Sequence, residues 1–162
     1  RALRDLSVHY KNMAKTVKSD TGAVNSSKAP EPVGLYPHAR RTGNLLFLSG
    51  VGPRERGTKK IPGVTLDDNG NIVSYDIETQ CRSVFQNVKW ILEEAGSGWD
   101  KLIDVTVFLT NMKDDFPVYN RLWAEYFKDN QPCRTTIEIN CLPTPIAIEL
   151  KCIALAENNG QK

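Results

Sequence analysis

The 162 residues carry 40% apolar and 25% charged side chains, with a net charge of +2. That profile suits one domain with room for a sizeable core, and it gives no electrostatic footprint for nucleic acid or an anionic membrane. The longest apolar runs, Leu45–Leu48 and the interrupted Ile103–Leu109, fall far short of a membrane span.

Residues 1–32 lack periodicity and are rich in Ser, Thr, Lys, Ala and Pro. They read as a flexible tail. Met13-Ala14-Lys15 looks like a natural start, which leaves residues 1–12 as a leader or a vector-derived extension. A basic presequence is the alternative, and it would direct the protein to mitochondria instead of the cytoplasm. The structured domain is expected over residues 33–157, followed by a short tail at 158–162.

The turn signal Thr42-Gly43-Asn44 separates the segment Tyr36–Arg41 from Leu45–Leu48 and predicts a hairpin. The loop 52–62 is basic and holds Arg54, Arg56, Lys59 and Lys60. Asp67-Asp68-Asn69-Gly70 predicts a second hairpin, between Val64–Leu66 and Asn71–Val73. From Asp76, a plausible N-cap, apolar residues recur at Ile77, Cys81, Val84, Phe85, Val88, Ile91, Leu92 and Ala95. This is the 3.6-residue period of a helix that stops at Gly96.

Leu102–Leu109 is rich in β-branched residues and reads as a strand. Asp114 or Asp115 is expected to cap a second helix, with Pro117 in its first turn and Val118, Leu122, Tyr126 and Phe127 on one face. A strand over Cys133–Asn140 follows. Pro143 and Pro145 break the chain before a last strand over Ile146–Ala156. Strands alternating with two helices predict an α+β layer of about six strands, with the helices on one face. The other face is then left bare, so an oligomer is expected to bury it.

Alternation along Cys133–Asn140 puts Arg134, Thr136, Glu138 and Asn140 on one side. Cys133, Thr135, Ile137 and Ile139 take the other, which reads as the core side. An arginine on a rigid strand is a fixed fork for a carboxylate, which points to a small acidic substrate. Cys81, Cys133, Cys141 and Cys152 show no C-x-x-C spacing, and His9 and His38 lie far from them, so no metal site is expected. Cys133 and Cys152 are expected as buried free thiols.

Several spaced motifs resemble the Rid (YjgF) family of reactive-intermediate deaminases. They are Gly34-Leu35-Tyr36-Pro37-His38-Ala39, Leu48-Ser49-Gly50, Val105–Leu109, Pro132-Cys133-Arg134-Thr135-Thr136, Leu142-Pro143 and Ile148-Glu149. The resemblance runs in order over residues 33–156. It implies a chorismate-mutase-like mixed sheet backed by two helices, a homotrimer with clefts between subunits, no cofactor, and hydrolysis of imines or enamines with release of ammonia.

Carried over residue by residue, the resemblance makes Arg134 the substrate-carboxylate ligand, with Tyr36, Ser49, Asn120 and Thr136 lining the cleft. It departs at Lys151, a position where it implies the glutamate that positions water. Ile148-Glu149-Leu150-Lys151 and the basic loop with Arg54 resemble the 2-aminomuconate deaminase branch. Lys151 or Arg54 would then pair a second substrate carboxylate. Glu149, on the same strand face as Lys151, would shuttle protons or balance that lysine. A general 2-iminopropanoate or 2-iminobutanoate deaminase is the alternative substrate reading. A non-enzymatic ligand-binding, chaperone-like or translation-inhibitor module is the alternative from another class.

Overall fold

The computed structural model describes residues 22–157. The expected extension 1–12, the rest of the tail to residue 21 and the C-terminal tail 158–162 lie outside the described residues. Within them run β1 (Ala23–Val24), β2 (Ala39–Thr42), β3 (Leu45–Leu48), β4 (Val64–Leu66), β5 (Ile72–Tyr75), α1 (Ile77–Glu94), β6 (Leu102–Leu109), α2 (Met112–Tyr126), β7 (Cys133–Glu138) and β8 (Ile148–Leu155). Six strands form one mixed sheet in the order β1-β2-β3-β8-β6-β7, and β4 and β5 pair apart from it. Only β6 and β7 run parallel, joined by α2, as a parallel pair requires a crossover.

The cap chemistry of α1 is as the residues predict. Asp76 accepts from the backbone N–H groups of Glu78 and Thr79 at 3.2 and 3.3 Å. At the other end Gly96 has φ +70°, and the Ser97 N–H reaches back to the Leu92 carbonyl at 2.9 Å. That is a Schellman ending, which wants glycine at the left-handed position. The start of α2 differs from expectation. Asn111 is the cap and accepts from Asp114 N–H at 3.3 Å, so Asp114 and Asp115 fall inside the first turn. There they favour the positive end of the helix dipole.

The core lies between the sheet and the two helices. Register sets Leu46, Leu48, Val105, Val107, Leu109, Leu150, Cys152 and Ala154 on one sheet face, all buried. They pack with the α1 stripe of Cys81, Val84, Phe85, Val88, Ile91 and Leu92. Each large side chain so buried contributes about 1.5–3 kcal/mol. No helix among the described residues covers the opposite sheet face, and Phe47, Ile137 and Leu155 on it are 36%, 41% and 42% exposed.

Two expectations are corrected. The tail does not extend to residue 32, because residues 22–32 are part of the fold. Ala23 and Val24 pair with Arg40 and Ala39, and Ala29 and Pro30 are buried. Ser26 and Ser27 bind the Glu94 carboxylate, and Arg56 donates to the carbonyls of Ser26 and Ala29. The faces of β7 are also reversed. Arg134 and Thr136 are in register with Val105 and Val107 and look toward the helices, whereas Cys133, Thr135 and Ile137 lie on the bare face. Cys133 and Cys141 are exposed and Cys81 and Cys152 buried, all as free thiols.

Candidate functional site

The expected site residues fall into two groups at different places in the chain. The first group surrounds Arg134 on the edge strand β7. Its guanidinium donates to Asn120 Oδ1 of α2 at 2.9 Å. It also lies over the rings of Phe116, Tyr119 and Trp123, at 5.7, 5.9 and 4.9 Å from the centroids. Among the described residues it has no carboxylate partner. An open hollow of about 650 Å³ beside it is lined by Met112, Phe116, Arg134 and Thr136. The Thr136 hydroxyl is buried without a hydrogen-bond partner.

The second group gathers where β3 ends. Tyr36, Gly50, Gly52 and Arg54 border two adjoining cavities of about 320 and 470 Å³. Ser49 and His38 line the first and Glu149 the second. Gly50 is needed here: a Cβ would stand 2.4 Å from Glu149 Oε1, so the missing side chain lets the carboxylate lie against the backbone. Burial pushes the Glu149 carboxyl above its ordinary range, and the Arg54 guanidinium pulls it part of the way back. A carboxyl moved in that direction holds its proton more readily than a free one, which suits it to proton exchange.

Arg54 is held rather than loose. Buried Asn87 of α1 donates to the carbonyls of Gly52 and Arg54 at 2.9 and 3.0 Å. The Arg54 side chain donates to the Glu31 carbonyl at 2.6 Å. Ser49 Oγ donates to the Pro37 carbonyl at 2.6 Å, and Tyr36 Oη accepts from Val33 N–H at 3.3 Å. Buried His38 is used structurally: Nδ1 accepts from Ser26 N–H at 3.0 Å while Nε2 donates to the Pro30 carbonyl at 2.8 Å.

Lys151 lies on the same β8 face as Glu149 and its ammonium donates to the Leu48 carbonyl at the end of β3, but it lines neither cavity. It is in register with Thr106, so it occupies the bare face, opposite to Arg134. One chain therefore cannot set Arg134 and Lys151 on the same small ligand. The acidic side chain bordering the second cavity is Glu149, two residues before Lys151. Sequence reading missed the aromatic wall of Phe116, Tyr119 and Trp123. Its signal was the i, i+3, i+7 spacing on α2, which was spent on Val118 and Leu122 instead.

Residues 26–156 match the sequence profile of the family described as Endoribonuclease L-PSP. The chain belongs to this family, the YjgF/Rid proteins. A RutC family protein of Pyrococcus horikoshii is 39% identical over 132 residues, covering 82% of this chain and 95% of the relative. Reactive Intermediate Deaminase A, chloroplastic, of Arabidopsis thaliana is 33% identical, covering 87% and 68%. Among solved structures, yeast Mmf1 superimposes with a TM-score of 0.71 at 30% identity, covering 83% of this chain and 98% of that one. The YjgF gene product of Escherichia coli gives 0.69 at 28%, covering 86% and 100%. The two helices and mixed six-stranded sheet are those of the YjgF/Rid fold.

Proposed function

We propose that this YjgF/Rid protein is a hydrolytic deaminase of 2-imino and 2-enamino acids. Arg134 is the observation that carries the reading: a cation on a rigid strand, backed by aromatic rings and without an acidic partner among the described residues. It binds the substrate carboxylate as a planar fork. The enamine tautomerises to the imine, water adds to the C=N carbon, and the carbinolamine breaks its C–N bond to give the 2-oxo acid and ammonia. Glu149 takes the proton from the attacking water and returns it to the departing nitrogen. Positioning supplies much of the remaining rate, because imines are already electrophilic.

The two groups do not meet within one chain. Glu149 on β8 and Arg134 on β7 have β6 between them, roughly 10 Å from strand to strand, and they take opposite sheet faces. The cleft is therefore shared: Arg134 and Asn120 of one protomer close over Tyr36, Ser49, Arg54 and Glu149 of the next, in a homotrimer joined through the bare sheet faces. Within the substrate class, a dicarboxylate such as 2-aminomuconate fits best, because Arg54 brings a second cation to the cavity that holds Glu149. The net charge of +2 does not favour an RNA substrate.

The test is ammonia release from freshly generated 2-aminomuconate beside 2-iminopropanoate. Turnover of both, faster on the dicarboxylate, is expected, and Arg134→Ala abolishes it with the oligomer intact. Turnover that survives Arg134→Ala would remove the reaction from this cleft. A clear preference for 2-iminopropanoate would remove the dicarboxylate reading alone.

A further inference from the structure

Arg134 is held in an unusual way for a surface arginine. Arg56, Arg82 and Arg121 all rest against carboxylates, at 3.4, 2.8 and 2.5 Å. Arg134 rests against three rings and one amide oxygen. Phe116, Asn120 and Trp123 recur at helical spacing, so one face of α2 supplies these contacts. Trp123 is the nearest ring, at 4.9 Å, and is itself braced by Phe127 at 4.0 Å and Tyr119 at 6.0 Å between centroids. Tyr119 and Phe127 are fully packed in the core, so the brace is rigid.

We infer that Trp123 is a positioning residue for Arg134. Rings over a guanidinium exclude water from its faces and attract its charge without consuming an N–H donor. A carboxylate partner would do the opposite, since it would occupy the fork that the substrate needs. Asn120 fixes the rotation of the group through one N–H and leaves the remaining donors for an anion. The hollow lined by Met112, Phe116, Arg134 and Thr136 is where that anion arrives. The cradle thus keeps the fork partly dehydrated and without a carboxylate partner until a substrate carboxylate enters. This inference rests on Arg134 being the carboxylate ligand, as proposed above.

The experiment measures calorimetric binding of 2-oxobutanoate, a product-like carboxylate, to the assembled protein, together with the kinetics of 2-iminopropanoate hydrolysis. Trp123→Ala raises Kd and KM about tenfold and leaves kcat within about twofold, as expected for loss of a cation–π contact to a binding group. Trp123→Phe, which keeps a ring and the fold, restores both to within about threefold. In the Arg134→Ala background, Trp123→Ala adds nothing further to Kd, because it acts through Arg134. A Trp123→Ala protein with lowered Tm but unchanged Kd would overturn the inference, as would effects that multiply in the double variant. Binding of 2-oxobutanoate without any imine turnover would instead sink the deaminase reading and leave the cradle standing.

Discussion

At the scale of single residues, the proposed chemistry turns on how Glu149 is kept. Its carboxyl is raised by burial and lowered again by Arg54. A base of this kind must lose its proton to act, so kcat/KM should rise with pH along a limb above the ordinary carboxylate value of 4.5. Glu149→Gln should remove that limb and lower kcat about 100-fold, the usual scale of one proton-transfer group. Arg54→Ala should move the limb to higher pH, since a cation that favours the ionised form is gone; a pH–rate profile of the three proteins checks both. The stability sign runs the other way. The folded state holds the Glu149 proton to higher pH than the unfolded chain does, so this group's contribution falls as pH rises through its folded value. Glu149→Gln should therefore raise Tm at pH 7, measured by calorimetry. Gly50→Ala tests the same carboxylate from the backbone side, because the new methyl would meet it at 2.4 Å. A loss of kcat approaching that of Glu149→Gln is expected, with the fold retained by circular dichroism.

At the scale of elements, legibility followed the range of the interactions. Helix α1 could be read residue by residue, since its cap, stripe and glycine stop are local chemistry. Residues 22–32 could not. Nothing in Ser26-Ser27-Lys28-Ala29-Pro30 is periodic, and what fixes the segment comes from His38, Arg56 and Glu94, far along the chain. Strand β7 misled for a related reason. Its apolar residues Cys133 and Ile137 belong to the face that no helix among the described residues covers, while its arginine is sheltered by aromatic residues of α2. The candidate residues Arg134, Tyr36, Ser49, Asn120, Thr136, Glu149, Arg54 and Lys151 could be named from the sequence, but their division into two groups could not, because it depends on strand order and on which sheet face each side chain takes. The 22–32 segment makes its own prediction. Hydrogen bonds from Ser26 and Ser27 hold the Glu94 carboxyl at about 2, below its usual 4.5. The docked state is thus favoured above pH 4.5 and loses this contribution as pH falls through about 2. Glu94→Ala should release the segment at neutral pH, with amide exchange over residues 26–32 faster by about tenfold while α1 stays protected.

At the scale of the whole molecule, the proposed homotrimer answers both the bare sheet face and the divided site. Apolar side chains such as Phe47, Ile137 and Leu155 stand partly exposed on a sheet face that no helix among the described residues covers. Arg134 and Glu149 stand on opposite sheet faces, with β6 between their strands' outer edges. In the homotrimer proposed above, a ring of copies would bury the face and bring the Arg134 group of each protomer to the Glu149 group of its neighbour. Phe47→Glu should break the ring and abolish turnover together, with the monomer's secondary structure kept, as read by sedimentation and circular dichroism. The sharper measurement mixes two inactive proteins. Arg134→Ala subunits retain a sound Glu149 group, and Glu149→Gln subunits retain a sound Arg134 group. When the two are refolded together at equal amounts, each cleft draws its halves independently, so about a quarter of the clefts combine both sound groups. Turnover should return to about that fraction of wild type after co-refolding and stay absent when the preformed oligomers are merely combined. No recovery in hybrid oligomers, verified by mass, would show that each chain completes its own site and that the shared cleft is wrong.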